Sequence, residues 1–352
     1  MTKNIIHLFA FLVLVHSFYN GCAQDIHFSQ FSASPLLLNP AAAGNMKGNI
    51  RAVTNYRNQW LSVANSYQTY SLAADMNLKS LYGSKKGFPG LGLSLFRDQA
   101  GDLKYARTQA ELSLAYHVYL NSRNILSGGV QAGMAQRSFD RSAMMWDSQF
   151  DGTAYNPDLP GETSVIPSKA FVDVGIGMHW VYFTGDKNMV SNDGINLTAG
   201  FSLLHLAGTN QSMYDIHDVK SRENIKITGY SVASLGVPQS NIAVQPAIMY
   251  SRQNSVFEMT GGIVMRYRLV EASKYTGFIK ESALSLGAYC RWNDAVIPMI
   301  KFEYSNWAAG VSYDINISSL HTATNFRGGF EIFIQYITPN PFASQRTSAK
   351  FI

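Results

Sequence analysis

Two neighbouring segments near the C-terminus decide the fold: Trp307-Ala-Ala-Gly-Val-Ser-Tyr-Asp-Ile-Asn-Ile317 and Phe326-Arg-Gly-Gly-Phe-Glu-Ile-Phe-Ile-Gln-Tyr-Ile337, joined by a polar turn. In the first segment the apolar positions are Ala309, Val311, Tyr313 and Ile315, and they alternate with Gly310, Ser312, Asp314 and Asn316. Successive side chains of a strand point to opposite faces, so one face is apolar and the other polar. The second segment repeats the pattern, with Phe333 as an apolar exception among polar positions. A soluble sandwich gives the same alternation, so this hairpin alone does not indicate a membrane.

The composition of the whole chain favours a membrane strand protein. Only 14% of the 352 residues are charged and 46% are apolar, yet the mean hydropathy is -0.05, whereas soluble domains carry roughly 25% charged residues. Strands that face lipid on one side and water on the other give a mean hydropathy near zero. The formal net charge is only +5, which argues against nucleic acid as a partner because nucleic-acid binding needs a concentrated basic face.

The first residues predict export. Lys3 precedes an apolar run from Ile5 to Phe18, and small residues lead up to Gln24, which is the pattern of a signal peptide over residues 1–23, cleaved after Ala23. The alternative is lipoprotein processing at Cys22. The only other cysteine is Cys290, so a chain cleaved after Ala23 can form no internal disulfide.

The rest of the chain predicts an all-β fold, a transmembrane antiparallel β-barrel of about 14 strands over residues 46–338, followed by a C-terminal tail at 339–352. No later stretch reaches the roughly 20 apolar residues of a spanning helix. Most strand segments reach the roughly 10 residues that a tilted membrane strand needs, well above the roughly 5–6 of soluble strands. The long connections, Phe139 to Ser168 and Ala207 to Asn224, fall at the same end of the barrel, and an even strand count leaves both termini at the other end, which is periplasmic in bacterial barrels.

Residues 24–45 do not alternate. Pro35 and Pro40 exclude a central strand, and Pro35 suits the first turn of a short helix. The segment is too rich in apolar residues to extend into water, so we expect this irregular, partly helical lead-in to pack in or against the periplasmic mouth of the lumen as a plug.

The sequence predicts no catalytic residues, no cofactor-binding motif and no metal ligands. No Gly-x-Ser-x-Gly motif is present, the glycine pairs lie inside strands, and no histidines show metal-ligand spacing. His205 and His217 flank the second long connection, where ordinary loop polarity is a simpler interpretation than a metal site. The connections also carry large apolar and aromatic residues, which mark either a partner surface or loops folded inward; the candidates for partner binding are Met144, Met145, Trp146, Phe150, Tyr155 and Tyr214.

Five blocks of the sequence resemble the PorP/SprF family of outer-membrane proteins. They are Gln24-Asp-Ile-His-Phe-Ser-Gln-Phe31, Leu38-Asn-Pro-Ala-Ala-Ala-Gly44, Asn55-Tyr-Arg-Asn-Gln-Trp60, Val311 to Leu320 and Gly328-Gly-Phe-Glu331. No block matches between about Gly101 and Lys280, and the ending Ser348-Ala-Lys-Phe-Ile352 lacks the basic-aromatic residues of many members. The residues that carry the resemblance are Phe28, Ser29, Gln30, Asn39, Pro40, Gly44, Tyr56, Arg57, Gln59, Trp60, Tyr313, Asp314, Gly329 and Glu331.

The resemblance implies a non-enzymatic barrel of the type IX secretion system of Bacteroidota, in some cases linked to gliding motility. Such proteins work in the outer membrane, in contact with its lipid and with other secretion components, and help to export or anchor a secreted adhesin-like surface protein that has a C-terminal sorting domain. The resemblance implies neither a cofactor nor a small-molecule substrate. The alternatives are a channel for small solutes and an outer-membrane hydrolase.

Overall fold

The computed structural model contains a closed antiparallel barrel of 14 strands, which confirms the predicted fold class and strand number. The strands are β1 Ile50–Gln59, β2 Tyr67–Asn77, β3 Gly87–Ala100, β4 Tyr105–Tyr119, β5 Asn124–Ser138, β6 Ser168–Phe183, β7 Ile195–Leu204, β8 Lys226–Gly236, β9 Ile242–Gln253, β10 Val256–Val270, β11 Ser282–Arg291, β12 Ala295–Tyr304, β13 Trp307–Asn316 and β14 Arg327–Ile337. Each strand pairs with its neighbours in the sequence, and β1 closes the barrel against β14 with Arg51 opposite Ile337 and Gln59 opposite Gly329. Closure leaves no free strand edge inside a membrane.

The structure describes residues 25–60, 66–82, 84, 86–162, 164–184, 194–214, 221–271, 280–319 and 321–338. The predicted signal peptide, Cys22, His217 and the C-terminal tail lie outside the described residues. Within these ranges, no helix has the length and apolar character required to cross a bilayer.

In the barrel wall, apolar side chains face outward and polar side chains face inward, which is the reverse of a soluble protein. On β4, Leu112, Leu114 and Tyr116 are exposed while the intervening Glu111 and Ser113 are buried. The same holds for the segments quoted above, where Tyr313 and Ile315 are exposed and Ser312 and Asp314 are buried. The exposed residues form an outer apolar surface that suits lipid, whereas the polar residues face the lumen.

The two ends of the barrel differ. The chain enters β1 and leaves β14 at one end, called here the termini end; at the opposite end, the loop end, lie the long connections after β5 and β7. This agrees with the predicted arrangement of the long connections. Short turns are typical of the periplasmic end of bacterial barrels and long loops of the outer end.

The N-terminal segment, defined here as residues 25–48, contains three short helical turns at Phe31–Ala33, Pro35–Leu38 and Pro40–Ala42. Pro35 opens its turn, where the missing N–H costs nothing. Phe31 and Leu36 are almost fully buried. Phe31 belongs to an apolar cluster with the wall residues Ala247, Met249, Val264, Tyr289, Ala295 and Ile297. The core of the protein therefore lies between this segment and the inner wall.

Candidate functional site

The N-terminal segment runs along the lumen. Near the termini end the amide of Gly44 donates a 2.8 Å hydrogen bond to Asp75 Oδ2. At the opposite end of the segment, Asp25 contacts Lys226, the first residue of β8 at the loop end, over 3.0 Å. The segment thus lies in the lumen, as predicted from the sequence, and it extends beyond the predicted periplasmic mouth as far as the loop end. The buried apolar side chains of the segment need wall contacts along their whole length, and the lumen provides them.

One group of family-motif residues, the motif cluster, holds the start of this segment: Ser29, Gln30, Arg57, Asp314 and Glu331. The carboxylate of Glu331 accepts the backbone N–H groups of Ser29 and Gln30 at 2.6 and 2.9 Å. The Ser29 hydroxyl donates to Asp314 Oδ1 at 2.7 Å, and Arg57 Nη2 donates to Asp314 Oδ2 at 2.9 Å. All five residues are buried. A buried charge persists only when it is paired and hydrogen-bonded, so the cluster requires all its members together.

A second cation, Arg291, joins Arg57 beside the two carboxylates of the motif cluster. Arg291 Nη2 donates to Ser29 Oγ and to Asp314 Oδ2 at 2.7 and 3.0 Å. Arg57 also reaches the backbone, because its Nη1 donates to the carbonyl of His27 at 2.6 Å. Sequence reasoning missed Arg291, which lies outside the motif blocks; the only signal was a charged residue at a lumen-facing position of β11.

Asn39 and Gly44 hold the second half of the N-terminal segment. Asn39 Oδ1 accepts from the amide of Ala41 at 2.9 Å, and Asn39 Nδ2 donates to the carbonyl of Met178 on β6 at 2.7 Å. A Cβ atom on Gly177 would lie 2.0 Å from Asn39 Oδ1, so only glycine permits this approach. Gly44 has a φ of +78°, which favours glycine. These contacts give local physical reasons for two motif residues, and Pro40 lies buried between them.

The remaining motif residues do not all join this site. Phe28 is buried in the lumen, and Gln59 and Gly329 pair across the β1–β14 closure. Tyr56 packs against Tyr70 on the outer wall with ring centroids 5.0 Å apart. The other two outer motif residues are Trp60, which contacts Tyr67 at the end of β1, and Tyr313, which is exposed.

A second ionic group, the loop-end cluster, comprises Asp25, Asp173, Glu223, Arg107, His205 and Lys226. His205 Nδ1 lies 2.7 Å from Asp173 Oδ2, and its Nε2 lies 3.2 Å from Asp25 Oδ2. Arg107 forms ion pairs with Glu223 and with both aspartates. Burial alone lowers the pKa of His205, but the carboxylates of Asp25, Asp173 and Glu223 outweigh it and raise the pKa to about 9. His205 is therefore cationic at neutral pH, and three carboxylates face three cations.

Asp173, His205 and Glu223 form the one group in the described ranges whose ligand atoms are close enough for a metal ion. The ligand atoms lie within 4.8 Å of one another. His205 already uses both ring nitrogens in contacts with carboxylates, and Arg107 occupies the space beside Glu223. Because these cations compensate the negative charge, the arrangement is that of an ionic network that joins the N-terminal segment to the loop end.

The two long loops are joined to each other. Val165 forms an antiparallel bridge with Tyr214, and the amide of Ile166 donates to the carbonyl of Met213 at 2.8 Å. Lys169 Nζ donates to the carbonyl of Ser212 at 2.7 Å. The described parts of these two loops are therefore held together by hydrogen bonds.

The six candidate partner-binding residues differ in exposure. Met145 is 78% exposed, and Phe150, Tyr155 and Tyr214 are exposed as well. The other two are less exposed: Met144 is half-buried, and the half-buried indole of Trp146 packs against Gly161, where a Cβ atom would meet Trp146 Cδ1 at 2.6 Å. These two residues shape the loop, while the first four face outward.

Comparison with known proteins adds one family match. The family described as "Type IX secretion system membrane protein PorP/SprF" matches residues 20–336. Among curated proteins, no sequence matches this chain.

Several solved barrels are similar in structure at low sequence identity. The toluene transporter TbuX of Ralstonia pickettii is 10% identical, with 90% of this chain and 95% of that chain covered and a TM-score of 0.47. BamA from Haemophilus ducreyi, lacking POTRA domains 1-3, is 9% identical, with 82% and 70% covered and a TM-score of 0.42. The β domain of the Bordetella autotransporter BrkA is 10% identical, with 83% and 99% covered and a TM-score of 0.40.

Proposed function

The chain belongs to the PorP/SprF family of type IX secretion system membrane proteins, and from this premise we propose that it is a plugged, non-enzymatic barrel that docks a secreted surface protein at its loop end. The fold and the family support a location in the outer membrane and an association with secretion components and their exported cargo. The partner that we propose is an adhesin-like protein with a C-terminal sorting domain, which the barrel helps to export or anchor. A link to gliding motility is part of the same proposal.

The observation that carries this proposal is the exposed apolar surface on the joined loops. Met145, Phe150, Tyr155 and Tyr214 expose large apolar or aromatic side chains at the loop end, and the Val165–Tyr214 bridge connects the two loops that bear them. Aromatic residues and Met are enriched in the cores of protein interfaces. Since the loop end is the outer end of a bacterial barrel, the proposed partner approaches from the cell surface.

The N-terminal segment inside the lumen argues against an open channel for small solutes. The N-terminal segment is tied to the wall near both ends by the contacts of Gly44 and Asp25. The space beside Ile26 to Phe31 holds only about 30 Å³, room for about one water molecule, whereas larger spaces of about 110 and 720 Å³ lie elsewhere along the segment. The segment therefore narrows the lumen, which favours a plugged barrel over an open channel.

A hydrolase has less support. The family consists of secretion-system membrane proteins. His205, the histidine of the loop-end cluster, contacts carboxylates with both ring nitrogens, so neither nitrogen is directed at a serine or cysteine nucleophile. We therefore assign the loop-end cluster a structural role.

The test is a chromosomal variant of the source bacterium with Met145, Phe150, Tyr155 and Tyr214 replaced by Ser. Surface-exposed proteins and the culture medium are quantified by mass spectrometry, with a deletion strain as reference. We expect the same exported proteins to leave the cell surface in the variant and in the deletion strain, while the amount of barrel in the outer membrane is unchanged.

A matched control replaces exposed apolar residues at the termini end, Tyr82, Leu120 and Val237, by Ser. This control should keep a wild-type surface proteome. If the loop variant also keeps every surface protein that the deletion strain loses, docking through the loops is wrong.

A further inference from the structure

A large cavity remains at the termini end of the lumen. It holds about 720 Å³ between the N-terminal segment and the inner wall of β1 to β8, within the range of about 300–1,000 Å³ that is typical of small-molecule sites. The loop surface proposed for partner docking lies at the opposite end, so the two sites are separate. The termini end faces the periplasm in bacterial barrels, and the cavity opens to that side.

One part of the cavity wall is apolar and aromatic, while the rest is polar and includes Asn45, Asn77 and His179. The N-terminal segment contributes Pro35 and Leu38, while the wall contributes Phe88, Ile125 and Phe183. Such a surface suits an aliphatic or aromatic body. A closed barrel has no free strand edge that could pair with the backbone of an extended peptide, which favours a small molecule over a polypeptide.

The charges at the cavity all have one sign. Lys47, Arg51 and Lys79 line it, and none of the described lining residues is acidic. Arg51 is already paired, because its Nε and Nη2 donate to the two oxygens of Asp75 at 2.8 Å. For Lys47 and Lys79, no carboxylate of the described chain lies within ion-pair distance. The cavity therefore presents positive charge available to an anionic group.

Lys79 is positioned at the cavity by two aromatic rings. Its Nζ lies 5.7 Å from the ring centroid of Phe88 and 5.2 Å from that of Tyr119, distances at which a ring attracts a cation. The hydroxyl of Tyr119 is buried and has no hydrogen-bond partner among the described residues. A buried hydroxyl without a partner costs free energy, and an anionic head group beside Lys79 would provide the missing acceptor.

From these observations we infer that the cavity binds a small amphipathic anion, a single negatively charged head group on an aliphatic or aromatic body. Lys79 pairs with the head group, the Tyr119 hydroxyl donates to it, and the apolar walls enclose the body. The ligand class is that of medium- and long-chain carboxylates.

The test uses sodium octanoate as the probe, titrated into the full barrel in lipid nanodiscs by isothermal calorimetry, with empty nanodiscs as the blank for partitioning into lipid. We expect saturable binding at one site. Lys79→Met, which keeps the apolar stem, should weaken binding by about tenfold, the loss typical of one charge-assisted hydrogen bond. Tyr119→Phe should weaken it by a few-fold, since only the hydroxyl is lost.

The control is Lys86→Met, a lysine at the same end that does not line the cavity; it should bind octanoate as the wild type does. Heat-modifiable migration in gels verifies that each variant is a folded barrel, and Tyr119→Phe provides a second variant if Lys79→Met does not fold. The inference is overturned if octanoate gives no saturable binding, if both variants bind like the wild type, or if neutral 1-octanol binds as tightly as octanoate.

Discussion

Glu331→Gln tests how the N-terminal segment is held in the lumen. The two carboxylate oxygens of Glu331 accept the amides of Ser29 and Gln30 at 2.6 and 2.9 Å. A glutamine of nearly the same size keeps one acceptor oxygen but presents an NH₂ group to the other amide. That buried amide then lacks a partner, which costs about 1–3 kcal/mol.

The expected loss of free energy predicts faster hydrogen exchange of the amides in the N-terminal segment. Amides exchange when the segment leaves its site, so a loss of about 1–3 kcal/mol should accelerate exchange over residues 28–34 by roughly 5- to 150-fold. Mass spectrometry of peptides from this region measures the rate. Peptides from the strand interiors should keep wild-type protection, because the barrel ladders are intact.

Glu303→Gln is the matched control, since Glu303 also faces the lumen but pairs with Arg266 and Lys301 on the wall. It should leave the exchange of residues 28–34 unchanged. If Glu331→Gln and the wild type exchange at the same rate there, the ionic contacts do not hold the segment and the apolar packing of Phe31 does.

Three further predictions concern the plug and the loops. The pKa of His205 is raised to about 9 from 6.5, so its stabilising charge is fully present below pH about 6.5 and lost as pH rises through about 9; thermal unfolding should show this loss, and His205→Gln should abolish it. Intact protein in planar bilayers should show no large steady conductance, and deletion of residues 24–44 should produce one; large conductance from the intact protein would contradict the plug. Gly161→Val should displace Trp146, because a Cβ atom would lie 2.6 Å from its Cδ1, and red-shift the tryptophan emission relative to the wild type.

Strand count and side-chain direction could be predicted from the sequence because both depend on neighbours in the chain. Alternation in β13 and β14 placed Asp314 and Glu331 on the polar face, and the structure confirms a barrel with those side chains in the lumen. The common end of the long connections followed from counting strands. Proline at position 35 likewise marked the start of a helical turn.

The candidate site could be predicted only in part. The resemblance selected Ser29, Arg57, Asp314 and Glu331, but nothing in the sequence indicated that they contact one another. Exposure of the loop residues was also beyond sequence reasoning, since Met145 is exposed whereas the adjacent Trp146 packs against Gly161. Which of two neighbouring apolar residues turns inward depends on the path of the loop.

The sequence by itself determined an all-β wall with one apolar and one polar face, because a strand alternates its side chains regardless of its partners. Only the tertiary structure decided that the N-terminal segment runs along the lumen to the loop end, and that Ser29 meets Glu331, 302 residues away. The physical reason is that periodicity assigns a residue to a face, while the partner across the lumen depends on barrel closure, strand register and the position of the segment inside.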